Sequence, residues 1–315
     1  MKLKDLIKTI NKKDQNGVPD WMLGYFKRKT ISFYNGLSDS ITDVCWFQSR
    51  TFTIDLRLPK NKIEKKDILE YSQEELEQIS NYEGWFADSI FDGEKLSWRG
   101  GVSYQNVIKW PEPAILKRVG NCMIEFCPSN ALVEDWRFQN TKEDYLIGLE
   151  LIEEINLSTN KTIRNGGALI ISGEFAAICL GRDKITEEKF SSNLETLEDI
   201  LLDKNIDIKV KKKFLNFETS VAKGNLDTGY NIYLSTNPNK YDEELTSLDG
   251  FELSKDKEYI FQTYEEKGEK FKRIYKIDII DSNFKFETTT KTSKDSEIWF
   301  EKESKTLGRY LEELK

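Results

Sequence analysis

Leu132, Glu134, Trp136 and Phe138 alternate along one stretch, so on a β-strand they share a face. A carboxylate on an aromatic, apolar face either sits at the strand's wet end or is held by a partner, because burying an unpaired charge is expensive. Arg57, Arg99 and Arg118, on neighbouring predicted strands, are available to it. Desolvated alone, such a carboxyl carries a raised pKa; paired, a lowered one. Three uses follow: a structural Glu–Arg pair, a group that orients a ligand in a pocket, or a catalytic acid or base. The second set is aromatic: Trp46, Trp85, Trp98, Tyr104, Trp110 and Trp136. Rings at this density pack a core, or they line a cavity in which Gln48, Glu134 and an arginine fix orientation. Asp55 and Arg57, two apart on one strand, read as surface or rim pairing. Glu174 stands alone in the apolar run 168–180, ALIISGEFAAICL. A bulge at Ser172-Gly173 that turned it inward would make it the second half's ligand contact.

Composition closes off other chemistry. The chain has no histidine, which excludes His-based triads, imidazole metal ligands and imidazole pH switching. A general acid or base would have to be a carboxylate, Lys, Tyr or Cys. Cys45, Cys122, Cys127 and Cys179 match no zinc spacing and no disulfide framework. They read as buried thiols, which fits a reducing, cytoplasmic setting. Gly100-Gly101 and Gly166-Gly167 are not phosphate loops, since neither opens a helix after a strand. The run Lys209 to Lys213 reads as a solvated basic face. A net charge of −8 argues against a nucleic-acid binder and against an acidic membrane surface. The N-terminal MKLKDLIKTINKK has helical apolar spacing on a basic background but lacks a signal peptide's uninterrupted apolar core. No later segment approaches a membrane span. No catalytic residue, metal ligand or cofactor is assigned.

The elements that must position these groups are mostly strands. Phe52, Ile54, Leu56 and Leu58 alternate with Thr51, Thr53, Asp55 and Arg57, as in a half-buried antiparallel strand, and 45–58 reads as one strand ended by Pro59. Thr30 to Tyr34 reads as the first strand. Ser72 and Glu75 stand at capping-box spacing before a short helix over 72–80. Trp85 to Phe91, Asp92-Gly93, and Glu94 to Tyr104 predict a hairpin. Three further strands, 114–119, 123–126 and 132–138, are separated by Gly120-Asn121 and Pro128-Ser129-Asn130. In the second half, 168–180 reads as one bent strand, 193–202 as a helix capped by Asn193 with Leu194 on its apolar face, and 206–213 as another. Strands follow at 215–221, 230–235, 259–264, 271–280 and 284–289, with a turn at Asp281-Ser282-Asn283, before a terminal strand or short helix. The fold class is all-β with a few short helices. The expected division is an N-terminal helix and lead-in over 1–29, a first β-barrel over 30–140 and a second over 141–315.

The order GVPDW, ITDVCWFQSRTFTIDLRLP, EGWFAD, LSWRGGVSYQ and VEDWRFQ, with GGALIISGEFAAICLGR and NIYLSTNP later, resembles one family across most of the chain. It is the poorly characterised family of tandem lipocalin-like (calycin-like) antiparallel barrels, found in bacteria and typified by a yeast casein-kinase-associated protein. The chain departs from that pattern at Ser97-Trp98-Arg99-Gly100, where a histidine would be expected between the aromatic and the basic residue. The resemblance implies two barrels and a ligand calyx, and it transfers no mechanism. The expected function is non-enzymatic binding of a small hydrophobic or amphipathic molecule by Arg57, Trp98, Tyr104, Glu134, Trp136, Gln48 and Glu174. The alternatives are a protein-interaction scaffold with filled barrels, or a carboxylate-dependent enzyme in the cavity.

Overall fold

A computed structural model describes residues 1–13, 16–106, 110–191 and 195–312. Strands β1 (Gly24–Phe33), β2 (Asp43–Gln48), β3 (Phe52–Leu58), β4 (Glu83–Phe91), β5 (Lys95–Ser103), β6 (Ala114–Val119), β7 (Cys122–Phe126) and β8 (Leu132–Phe138) pair antiparallel in sequence order. β8 returns to β1, with Glu134 opposite Ile31, and closes an eight-stranded barrel. The Asp92-Gly93 hairpin forms as predicted. Gly93 takes a φ of 101°, and the Asp92 carboxylate accepts the amides of Glu94 and Lys95 at 2.9 and 2.7 Å. The capping box also forms, ahead of helix Gln73–Ser80.

The predicted strand over 45–58 is two strands. Ser49-Arg50-Thr51 makes a tight turn, held because Thr51 donates its hydroxyl and amide to Asp278 at 2.7 and 3.2 Å. The expected half-burial is also corrected, since β3 is buried on both faces. Phe52, Ile54, Leu56 and Leu58 point out of the barrel, into a core shared with Ala168, Ile170, Ala177, Cys179 and Val221 of the second half. Thr53, Asp55 and Arg57 therefore point inward.

The second half is a ten-stranded antiparallel sheet. Its labelled strands are β9 (Asp144–Asn156), β10 (Lys161–Asn165), β11 (Gly167–Ser172), β12 (Phe175–Leu180), β13 (Glu218–Asn225), β14 (Gly229–Ser235), β15 (Phe251–Leu253), β16 (Tyr259–Glu266) and β17 (Glu269–Phe284). They run β14-β13-β12-β11-β9-β17-β16-β15, with β10 on β9 and Lys12–Lys13 on β17. The 168–180 run is a hairpin and not a bent strand: Gly173, φ 59°, turns it and Ser172 faces Phe175. The turn expected at 281–283 is absent, because β17 continues through it to Phe284. No strand covers 285–289, and Phe284 and Phe286 instead pack against Phe26, Phe138 and Met22 at the barrel's closed end. Asn193 and Leu194 lie outside the described residues. The described helix there is Leu197–Leu202, capped by Thr196. The N-terminal helix Leu3–Ile7 buries Leu3, Leu6 and Ile7 on the second sheet, whereas the barrel's first strand begins at Gly24. The terminal element is the helix Lys294–Leu307, which buries none of its residues.

Candidate functional site

The barrel interior is not completely filled. A cavity of about 330 Å³ lies inside it, lined by five of the seven tryptophans. Strand register explains how they converge. Trp46, Asp55 and Trp85 form one inward row across β2, β3 and β4, and Val44, Arg57 and Glu83 form the next. β5 would not follow this alternation unaided, because Trp98 and Ser103 are five residues apart and would face opposite ways. Gly100 and Gly101, at φ 64° and 80°, form a bulge opposite Ala87 that resets the alternation, so both residues line the cavity. A Cβ at Gly101 would lie 1.8 Å from the Phe86 carbonyl oxygen, so only glycine is accommodated there.

Four of the five indole edges are tied to the wall. Trp46 Nε1 donates to Gln48 at 3.1 Å, Trp98 to Thr53 at 3.1 Å, Trp110 to Glu83 at 2.9 Å and Trp136 to Glu125 at 2.9 Å. Neighbouring rings meet edge to face: Trp85 and Trp98 at 5.9 Å, Trp46 and Trp98 at 5.9 Å, Trp46 and Trp136 at 5.2 Å.

Beside these rings lies a charged cluster. Glu134, 2% exposed, accepts from Arg28 at 2.9 Å and lies 3.6 Å from Arg57. Arg28 also binds Asp39. Arg57 donates to Asp55 at 3.0 Å and stacks over Trp110 at 4.4 Å. Burial works against the charge on its guanidinium, but Asp55, Glu134 and Glu83 around it together outweigh burial and hold it charged more firmly than usual. Burial pushes Asp55 up to about 6, against the pull of Arg57. Glu125 sits directly across from Glu134, on β7. Burial, and then the Glu134 charge, push Glu125 up to about 8, with Arg57 and the Trp136 N–H opposing. At neutral pH this carboxyl therefore keeps its proton. Glu125 retains some accessible surface because it faces the cavity.

The structure brings Arg57, Trp98, Glu134 and Trp136 together in this cavity. It separates the other three expected residues. Tyr104 lies outside the barrel wall in the shared core, where its hydroxyl donates to the Ile79 carbonyl at 3.1 Å and its ring meets Phe217. Gln48 is fully buried behind the cavity wall. Its amide nitrogen donates to Ser49 and Phe52 carbonyls, and its oxygen accepts from Trp46 and Thr53, so it positions the lining without touching the space. Glu174 is exposed on the β11–β12 turn and pairs with Lys223 at 3.1 Å, because the hairpin turns it outward. The surface reading of Asp55–Arg57 is overturned as well, Asp55 being 3% exposed. Of the expected Glu134 partners only Arg57 serves. Arg99 is exposed at the mouth, and Arg118 lies over Phe138 at the closed end. Glu125, Glu83 and Arg28 were missed. A signal existed for Glu125, which stands opposite Glu134 once β7 and β8 are folded on the Pro128-Ser129-Asn130 turn.

Among the described residues, no group of three or more Cys, Asp or Glu side chains is placed to hold a metal, and no helix is long and apolar enough to cross a membrane. The four cysteines are unpaired, with burial pushing Cys45 and Cys179 up to about 12. No family model matches the chain, and neither does any curated protein or solved structure.

Proposed function

We propose that this chain binds a small, partly apolar molecule in the calyx of its first barrel, without catalysing a reaction on it. The observation that carries this reading is a preformed space of about 330 Å³ walled by five indole rings, four of which have their N–H groups bonded to the wall. The volume falls at the low end of the roughly 300–1,000 Å³ typical of small-molecule sites, and apolar walls with few fixed polar groups are what such sites use. A barrel meant only as a scaffold gains stability by filling that space with side chains. The reading keeps the tandem lipocalin-like plan, with the second sheet as a variant barrel. The segment 243–245 that leads toward β15 lies against the free edge of β14, where Leu245 donates to the Tyr230 carbonyl and Ile232 to that of Glu243. It also keeps a cytoplasmic setting, in line with the four unpaired thiols.

Native mass spectrometry of protein purified from its own host, before and after denaturation, tests it. The expected result is a small-molecule adduct lost on denaturation, together with tryptophan fluorescence that responds when the ligand is returned. A clean apo mass, with fluorescence indifferent to a panel of small apolar and amphipathic compounds, would overturn it. The protein-interaction alternative draws on one feature, the terminal helix Lys294–Leu307 with Ile298, Trp299 and Phe300 exposed. Removing residues 293–312 leaves calyx binding intact if the first reading is right.

A further inference from the structure

Resting on the calyx reading, we propose that the ligand is an organic cation, a protonated amine or quaternary ammonium on an apolar body, with its charge beside Glu125 and Glu134 and its body against the Trp85 and Trp98 rings. Four carboxyl groups line the inner wall, those of Asp55, Glu83, Glu125 and Glu134, against the single guanidinium of Arg57. Arg28 behind Glu134 does not restore the balance, because Asp39 shares it. At the mouth Arg99 and Glu112 offset one another, and Glu112 is already held by the Ser129 hydroxyl and amide. An anion finds an open donor in the buried Arg57 Nη1, which has no hydrogen-bond partner. To reach it an acid head group would have to enter beside Glu134, 3.6 Å away, and Asp55, which holds the Nε of the same guanidinium, so carboxyl groups crowd the charge that would attract it. A neutral ligand would leave the carboxyl surplus unused. A cation is matched twice: by the carboxyl groups and by the indole faces, whose π-clouds attract positive charge.

The groups facing Glu125 decide how binding responds to pH. They are Glu134 on β8, Asp55 and Arg57 on β3, Glu83 on β4, the Trp136 N–H, and Cys127 just past the end of β7. A cation placed among them favours the ionised form of Glu125, which is protonated in the empty calyx below about pH 8. Binding at pH 7 therefore releases a proton, and affinity rises with pH by up to about tenfold per unit until Glu125 is ionised without help.

Three near-isosteric probes test this on the wild-type protein: benzyltrimethylammonium, neutral neopentylbenzene and anionic phenylmethanesulfonate. Binding is followed by tryptophan fluorescence and by calorimetry in buffers of different ionisation enthalpy. The expected result is that the ammonium binds at least tenfold more tightly than the neutral probe, with proton release at pH 7. The sulfonate should be weakest, and ammonium affinity should rise from pH 6 to 8. In Glu125→Gln, checked for fold by circular dichroism, the rise should flatten. If the neutral probe or the sulfonate binds as tightly as the ammonium, the cation assignment is overturned and the calyx stands. If none of the three binds, the calyx reading falls with it.

Discussion

Two carboxyl groups directly opposite one another on adjacent strands repel when both are charged. In this barrel the conflict between Glu125 and Glu134 is resolved unequally. Glu134 has two guanidinium groups beside it, whereas Glu125 has an indole N–H and keeps its proton. A carboxyl whose folded pKa lies above its unfolded value adds stability below the ordinary carboxylate range, near pH 4, and that stability is lost as pH rises through the folded pKa. For Glu125 the loss extends to about pH 8, and for Asp55 to about pH 6. Glu125→Gln, permanently neutral, should therefore gain on wild type as pH is raised from 5 to 9, read as the difference between their melting temperatures at each pH. A difference that stays constant would mean that Glu125 is not protonated in the empty calyx. Glu134→Ala should cost about 1–3 kcal/mol in urea unfolding, because Arg28 loses a buried hydrogen-bond partner while keeping Asp39 as its counter-charge. Glu174→Ala, on an exposed turn, should change stability by less than about 0.5 kcal/mol.

At the scale of the element, the bulge in β5 decides whether the calyx has an aromatic wall. Gly101→Ala places a methyl group against the Phe86 carbonyl at a positive φ, so the bulge must move or the strand slip. A slip of one residue turns Trp98 away from the cavity. The expected outcome is a loss of at least about 1–3 kcal/mol and of the ligand-dependent fluorescence response, whereas Gly36→Ala, at a positive φ in open space, keeps that response. This bulge also shows where sequence reasoning stops. Alternation and turn chemistry identified the hairpin at Asp92-Gly93, the strands of β6 to β8 and the shared face of Glu134 and Trp136, because those signals are local. What alternation could not supply was which side is inside. On β3 the apolar residues looked like the buried face and the polar ones like the surface, yet the apolar face meets the second sheet and the polar face meets the cavity. The same reason separated Tyr104 from the other aromatics. It follows Ser103 out of the barrel, and nothing in its own spacing announces that. The β11–β12 hairpin was missed because its apolar run continues through a turn that only Gly173 marks, which placed Glu174 within a strand when it lies at a tip.

The whole molecule is held by the face that β3 turns away from the barrel. One apolar core joins Phe47, Ile54 and Leu56 of the first half to Ile170, Ala177 and Val221 of the second, and Arg182 fastens its edge. Arg182 is fully buried and donates to the Phe214 carbonyl at 2.6 Å, to Ser103 at 3.0 Å and to Tyr104 at 2.7 Å, so a second-half side chain satisfies the backbone where the first half leaves β5. Phe190 and Phe217 lie against its guanidinium at 4.6 and 5.0 Å. With its core continuous across the join, the barrel should not unfold alone. Five tryptophans report on the barrel interior, whereas far-ultraviolet circular dichroism reports on both sheets, so the two signals should give one coincident urea midpoint. Arg182→Met keeps much of the apolar contact but leaves three buried carbonyls without their donor, at about 1–3 kcal/mol each. Its expected effect is a lower midpoint, with the fluorescence transition parting from the dichroism transition as the join weakens. Separate midpoints already in the wild-type protein would mean that the halves are independent units. The calyx would then owe its shape to the barrel alone and not to the second sheet packed behind it.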